Sequence, residues 1–346
     1  MPTALKAWAA TSPEKIEPLR ITRRALDDED VAIDIKFAGI CHSDIHTVRS
    51  EWKKTEYPLV VGHEIAGTVS AVGKNVTKFN VGDRVGVGCM VNSCRKCENC
   101  KEGEEQYCLN MVETYNAKDP KDGTITQGGY SKYIVVDQAF VLKIPESLPL
   151  DKAAPLLCAG ITVFSPLNHW HAGPGKRVGI IGLGGLGHVA VKIAKALGSE
   201  VTVFSQTDSK KELALQFGAD TYVTTSDPKA FDGLGRKFDI ILNTVSAKVP
   251  LEKYLSSLRR DGSLIQVGVP PEPLQIPPFS LLPQRNGIHG TLIGGIAETQ
   301  KMLDLCGEKQ IFPEIEVVPA SYINEAYDRV VKSQVKFRFV IDVSTI

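Results

Sequence analysis

Residues able to bind a metal recur along this chain in telling company. His63 and Glu64 stand side by side in Pro58-Leu59-Val60-Val61-Gly62-His63-Glu64-Ile65-Ala66-Gly67, after a short apolar run with the character of a buried strand. Alone, such a histidine reads as a satisfied polar residue at a strand end. Cys41, in Gly39-Ile40-Cys41-His42-Ser43-Asp44-Ile45-His46, and Cys158, in Pro155-Leu156-Leu157-Cys158-Ala159-Gly160, shift that reading. Two thiolates and one imidazole hold a zinc ion with the fourth position left for water or substrate, the catalytic form of a zinc site.

A second cysteine group is more compact. Cys94, Cys97 and Cys100 are spaced by two residues each, and Cys108 follows after Lys101 to Tyr107. Four thiolates this close suit a closed tetrahedral zinc site, which is structural because no position is vacant. The rival is an iron–sulfur cluster, since consecutive Cys-x-x-Cys steps also occur in ferredoxins. There the fourth cysteine follows after three residues and precedes proline, whereas here the gap is longer and Leu109 follows. Zinc is the better reading. The other cysteines, Cys89 and Cys306, are scattered, and a large chain without a secretory leader favours metal ligation over a disulfide framework.

The third chemical signal is Gly182-Leu183-Gly184-Gly185-Leu186-Gly187, set between the strand-like 177–181 and the helix-like 188–197. Gly-x-Gly-x-x-Gly alone is weak. Between a strand and a helix, with Glu200-Val201-Thr202-Val203-Phe204 as the next strand, it has the βαβ context of a dinucleotide fingerprint. The glycines let the backbone approach a pyrophosphate, and the helix N-terminus offers amide donors. A tight turn without ligand is the bland alternative. NAD sites place an acid at the end of the second strand, about 20 residues past the glycines. Here Ser205 takes that place, and Ser205, Thr207 and Lys210 suit a 2′-phosphate through hydroxyl and charge. Asp208 dissents, and Lys210 with Lys211 also reads as a solvated helix start. NADP is the favoured cofactor.

The elements that must position these residues fall into two textures. Residues 1 to about 150 are mainly β, with half-buried alternation in 31–37, 67–73, 82–87 and 133–136. Near Pro149 the texture changes: Asp151 is expected to cap a helix from Lys152 through Cys158, with helical sequence on to Trp170. From 176 onward strands alternate with helices, at 221–223, 238–242, 263–267 and 287–292, which predicts an open parallel sheet of about six strands. The alternating 335–343 segment is expected to return to the first domain. Length suffices for two domains, and 43% hydrophobic with 23% charged residues is ordinary globular composition. Forty basic residues balance forty acidic ones, so neither nucleic acid nor an anionic membrane is an expected partner, and a zinc-ribbon nucleic-acid binder is disfavoured. No uninterrupted apolar run approaches the roughly 20 residues of a membrane helix, and residues 1–7 lack a signal-like apolar region. A soluble, cytoplasmic protein is predicted.

Together, Gly39 to His46, Gly62-His63-Glu64, Cys94 to Cys108, Ala153 to Gly160, Gly182 to Gly187 and Arg338-Phe339-Val340 resemble the zinc-containing medium-chain alcohol dehydrogenases, specifically their cinnamyl alcohol dehydrogenase branch. The resemblance covers essentially the whole chain. It implies an α/β architecture: a GroES-like β-barrel catalytic domain over 1–152 and 294–346, and a doubly wound Rossmann cofactor domain over 153–293. It implies two zinc ions per subunit, the catalytic one on Cys41, His63 and Cys158 with Glu64 as an alternative or supporting ligand. It further implies that Ser43 and His46 pass the alcohol proton to solvent by way of the nicotinamide ribose; the residues alone give only local capping and a surface imidazole. Trp52 is a substrate-pocket candidate or an ordinary partly buried aromatic. The expected activity is reversible hydride transfer between NADP(H) and primary alcohol/aldehyde pairs, of cinnamyl-type aromatic or medium-chain aliphatic kind. An NAD-dependent alcohol or polyol dehydrogenase is the alternative, and a homodimer is the expected assembly.

Overall fold

The computed structural model describes residues 3–346. They form two compact units, Met1–Cys158 with Gly294–Ile346, and Ala159–Ile293. The division falls at Cys158/Ala159, within helical sequence.

The first unit is organised on the strand Asp30–Gly39, whose Val31, Ala32, Ile33 and Ile35 are all buried. It pairs antiparallel with Ile65–Val72, Tyr133–Asp137 and Arg338–Asp342 within a seven-stranded sheet. Its register against Ile65–Val72 shifts twice, at Ala32/Ile33 and Ile35/Phe37. Such bulges add local twist and bend the strand, so one strand serves several partners. The C-terminal strand Arg338–Asp342 lies in this sheet, beside the parallel strand Ile315–Pro319. The hairpin Thr3–Ser12/Lys15–Arg23 is not anticipated from the sequence. Pro18 and alternating charges obscure its period, and its second strand is only half buried.

Asp30, wholly buried at the start of the central strand, is the electrostatic tie of this sheet. It bonds the Arg24 guanidinium, accepts from Lys121 Nζ at 2.7 Å and from the Asp27 amide at 2.9 Å. Burial would raise its pKa, but the Arg24 and Lys121 hydrogen bonds hold the carboxyl below its ordinary value.

The helical passage runs Leu150–Pro155, then a π-helical turn Leu156–Gly160, then Ile161–His169. Asp151 is not the cap: the helix begins at Leu150 after Pro149, and Asp151 sits in the first turn. Pro155 has no amide to give, and the ladder widens directly after it, at the turn carrying Cys158. Interrupted by charge in sequence, the stretch Leu150–His169 is nonetheless long and apolar enough to cross a membrane. It is a core element here, with 78% of its most apolar window buried inside the protein.

The second unit is a six-stranded parallel sheet in the order Thr221–Thr224, Glu200–Ser205, Arg177–Ile181, Phe238–Asn243, Leu258–Gln266, Gly287–Gly290. Its core includes Phe204, Phe238, Tyr254, Leu255 and Leu264, each burial contributing about 1.5–3 kcal/mol before entropy is counted. Register places Ile181 beside both Phe204 and Asn243. Gly182, Ser205 and Thr244, the residues next in sequence, therefore emerge at one edge, the carboxyl ends where open α/β sheets bind ligands.

Asp30→Asn should cost roughly 1.5–3 kcal/mol by removing the buried charge to which Arg24 and Lys121 hydrogen-bond, read as a lower urea midpoint at neutral pH. The folded carboxyl is depressed, so its contribution is full above the ordinary aspartate pKa and lost as pH falls through the lowered one. The gap between wild type and variant should therefore narrow on acidification.

Candidate metal centres and cofactor turn

Cys41 ends the chain's exit from the central strand and stands just ahead of the short helix His42–Val48. Asp44, in the helix's first turn, reaches back so that its Oδ2 accepts the Cys41 amide at 2.9 Å. Its Oδ1 accepts the Gly62 amide at 3.1 Å and lies 3.1 Å from His63 Nδ1. Gly62 turns with φ +103°, where a Cβ would stand 2.6 Å from the Tyr130 ring; only glycine fits. Because a carboxylate only accepts, Nδ1 carries the proton and the Nε2 lone pair of His63 is left for a ligand bond. Tyr115 Oη lies 3.3 Å from the same Nδ1.

The ligand atoms of Cys41, His63, Glu64 and Cys158 lie within 4.8 Å of one another, and all four residues are buried. Cys41 Sγ and Cys158 Sγ are 3.8 Å apart. That is far beyond the about 2.05 Å of a disulfide. It matches the roughly 3.8 Å edge of a tetrahedron with Zn–S bonds of about 2.3 Å. Glu64 Oε1 pairs with Arg338, whereas Oε2 is buried without a hydrogen-bond partner. A buried, unpartnered carboxylate oxygen beside two thiols and an imidazole is a donor set awaiting a cation. The residues fit zinc.

Electrostatics agree. The Cys158 thiol holds the Cys41 thiol well below its ordinary value, while Cys41, then Cys89, push Cys158 well above. Two sulfurs this close do not both ionise without a cation between them. Burial pushes the Glu64 carboxyl up to about 8 against the pull of Arg338. Burial alone would lower His63, but the charge of Asp44 raises it well above the ordinary histidine range.

Cys94, Cys97, Cys100 and Cys108 form the second cluster, again with sulfurs within 4.8 Å. Cys94–Cys100 and Cys97–Cys100 separations of 4.0 and 3.5 Å bracket the same tetrahedral edge. The Lys96 and Cys97 amides lower the Cys94 thiol to about 6, stabilising a thiolate ligand.

Ser43 and His46 lie one turn apart on the His42–Val48 helix. Ser43 Oγ is 3.7 Å from Cys41 Sγ, and the ring of Trp52 stacks on His46 at 4.6 Å. Trp52 is half exposed, at 53%. Glu51 pairs with His46 Nδ1, a partner the sequence reading missed. Asp44, Arg338, Tyr115 and Cys89 were likewise not singled out for the site. The signal for Asp44 was its place three residues after Cys41, a capping-box spacing; the others required tertiary structure.

In the second unit, Gly182 has φ +90°, and a Cβ there would meet Val245 Cγ2 at 2.5 Å. A Cβ on Gly187 would stand 2.0 Å from Gly182 O, whereas one on Gly184 would meet nothing within 4 Å. The turn is thus packed tightly against its own protein on one side and open over Gly184, a cradle suited to a dinucleotide pyrophosphate. Lys210 Nζ donates to Leu183 O at 3.0 Å, so the lysine stands at the turn, with burial lowering its pKa. Ser205 ends its strand half-buried, and Thr207 Oγ1 lies 2.8 Å from Ser209 Oγ. Asp208 is bonded to Thr224 Oγ1 on the adjacent strand, which occupies the acid that spoke for NAD.

Residues 27–146 match the family model described as alcohol dehydrogenase GroES-like domain, and residues 185–308 match that of zinc-binding dehydrogenase. The chain is 60% identical over 347 residues, 99% of each chain, to NADP-dependent alcohol dehydrogenase C 1 of Mycolicibacterium smegmatis. Among solved structures it resembles a cinnamyl alcohol dehydrogenase from Sorghum bicolor (TM-score 0.95, 44% identity, 99% and 98% of the two chains). It also resembles the CAD from Helicobacter pylori complexed with NADP(H) (TM-score 0.92, 43% identity, 99% of each).

Gly39 lies against this site: a Cβ added there would stand 1.9 Å from Glu64 Oε2. Gly39→Ala should displace the carboxylate and lower stability by about 2 kcal/mol, measured as a reduced thermal midpoint.

Proposed function

This chain belongs to the zinc-binding alcohol dehydrogenases with a GroES-like domain, and from that premise we propose that it interconverts primary alcohols and aldehydes with NADP(H). Its substrates are of cinnamyl-type aromatic or medium-chain aliphatic kind. The observation that carries the reading is the convergence of Cys41, His63, Glu64 and Cys158, distant in sequence, on one ion-sized volume.

Cys41, His63 and Cys158 would hold the catalytic zinc, with Glu64 as the alternative or supporting ligand, and Cys94, Cys97, Cys100 and Cys108 would hold a structural zinc. Bound there, zinc supplies Lewis acidity that polarises a carbonyl oxygen and lowers the pKa of an alcohol. Asp44 keeps the His63 ring in register with the thiolates. Ser43 takes the alcohol proton and His46, backed by Glu51, passes it to water by way of the nicotinamide ribose, a reading supported by their spacing of three residues on one short helix. Trp52, stacked on that imidazole, is the candidate for one wall of the substrate site. The Gly182 to Gly187 turn, Leu183 and Leu186 included, takes the pyrophosphate, while Ser205, Thr207 and Lys210 take the 2′-phosphate.

The assembly is a homodimer through the cofactor unit. Gly287–Gly290 is an edge strand, and Phe279 and Leu282 nearby in sequence are 81% and 67% exposed. The protein works in the cytoplasm, where its eight free cysteines stay reduced.

The deciding experiment is a panel of aromatic and aliphatic aldehydes assayed with NADPH and with NADH. We expect kcat/KM at least about tenfold higher with NADPH; a preference for NADH would overturn the reading of Ser205 and Lys210. Cys158→Ser should lower kcat/KM by at least about a hundredfold and remove one of two zinc atoms per chain, with NADPH affinity retained; full activity would refute the ligand assignment. Light scattering should give a dimer, and Phe279→Asp with Leu282→Asp a monomer.

A further inference from the structure

His188 is wholly buried in the first turn of the helix Gly187–Ala196, its ring beside Phe217 at 6.0 Å between centroids. The Gly184 carbonyl accepts two hydrogen bonds from this one residue, from the backbone amide at 3.1 Å and from Nδ1 at 2.9 Å. A carbonyl oxygen only accepts, so Nδ1 carries the proton. The peptide linking Gly184 to Gly185 is planar and trans, so its N–H points opposite to its C=O. Fixing the Gly184 carbonyl along the helix therefore fixes the Gly185 amide in the other direction, outward past the N-terminus. Both glycines are otherwise the least restrained residues a chain can offer, and an unfixed peptide plane there would lose entropy on binding an anion.

We propose that His188 is a positioning residue for the cofactor: its Nδ1–H locks the 184–185 peptide plane and so presets the Gly185 amide as a donor to the pyrophosphate. The proposal rests on the cofactor reading of the Gly182 to Gly187 turn given above. It concerns pre-organisation, since a buried imidazole beneath the turn touches no ligand itself. The opposite flank of the turn has its own anchor, Thr244 Oγ1 donating to Ile181 O at 2.8 Å. Between these two anchors the turn keeps one shape.

The test is calorimetric titration of the full chain with NADPH and, separately, with adenosine 2′-monophosphate, which has the 2′-phosphate and no pyrophosphate. His188→Leu removes the donor. His188→Asn places its amide nitrogen where Nδ1 was, whereas His188→Gln carries its amide one bond further out. Loss of one neutral hydrogen bond predicts NADPH affinity about tenfold weaker in His188→Leu and His188→Gln, and within about twofold of wild type in His188→Asn. Adenosine 2′-monophosphate should bind all four proteins alike, and the KM for NADPH should follow its Kd with kcat little moved. Unchanged NADPH affinity in His188→Leu or His188→Gln overturns the proposal, as does an Asn variant as weak as Leu, which would make the residue mere packing. Wild type that binds neither ligand overturns the cofactor reading itself.

Discussion

One buried carboxylate fixes the relation between the two segments that deliver the first metal ligands. Asp44 takes the Cys41 amide, the Gly62 amide and the His63 imidazole, with Tyr130 Oη at 3.3 Å. A polar group sealed from water must be thoroughly hydrogen-bonded to be buried without a large penalty, and the same bonds leave it no freedom to move. A cysteine at a helix start and a histidine on a distant loop are thereby referred to one rigid point. That point exists only because the sheet pairs the strand before the cysteine, Asp30–Gly39, with the strand after the histidine, Ile65–Val72.

The sheet does so through its least local contacts. The strand Asp30–Gly39 leads into Cys41, and its late residues pair with Arg338–Asp342 from the far end of the chain. Arg338 is the residue that meets Glu64, itself preceding Ile65–Val72 on the other side of the central strand. Gly39, between them, leaves the space that the Glu64 side chain occupies. The buried ion pair is thus a packing statement as much as an electrostatic one. It holds only with the C-terminal strand in register, which couples completion of the fold to completion of the donor set.

Residue types and spacing made the donor atoms legible, because thiolates, imidazole and fixed cysteine intervals are chemistry written in one dimension. The parallel sheet was legible for a similar reason: its strands carry short apolar runs, as in residues 178–181 and 240–242. What escaped were features that depend on partners remote in sequence. Glu51, Tyr115 and Arg338 look like ordinary surface or strand residues until the fold sets them against His46, His63 and Glu64. The Thr3–Ser12 hairpin was lost behind charges and Pro18, and the start of the Leu150–Pro155 helix was misplaced because Asp151 has cap chemistry without the cap position. Pro155 marks a break in the helical ladder before Cys158 but does not say whether the helix ends, kinks or widens into the π-helical turn seen there.

The two units solve opposite problems with the same backbone tools. Around Cys41 and His63, polar side chains are buried, and Asp44 meets that cost with acceptors aimed at amides while Glu64 Oε2 is left facing the donor set. Around Gly184 the reverse holds: side chains are removed so that amides face open space, and the partners lie underneath. Asp208 illustrates the difference. As a free acid at the end of Glu200–Ser205 it would repel a phosphate, yet its bond to Thr224 turns it along the sheet edge and leaves Lys210 as the charge at the turn. The Thr224 hydroxyl on the neighbouring strand thus holds one negative charge in a set place, and the distance of a charge from the edge decides how strongly it acts there.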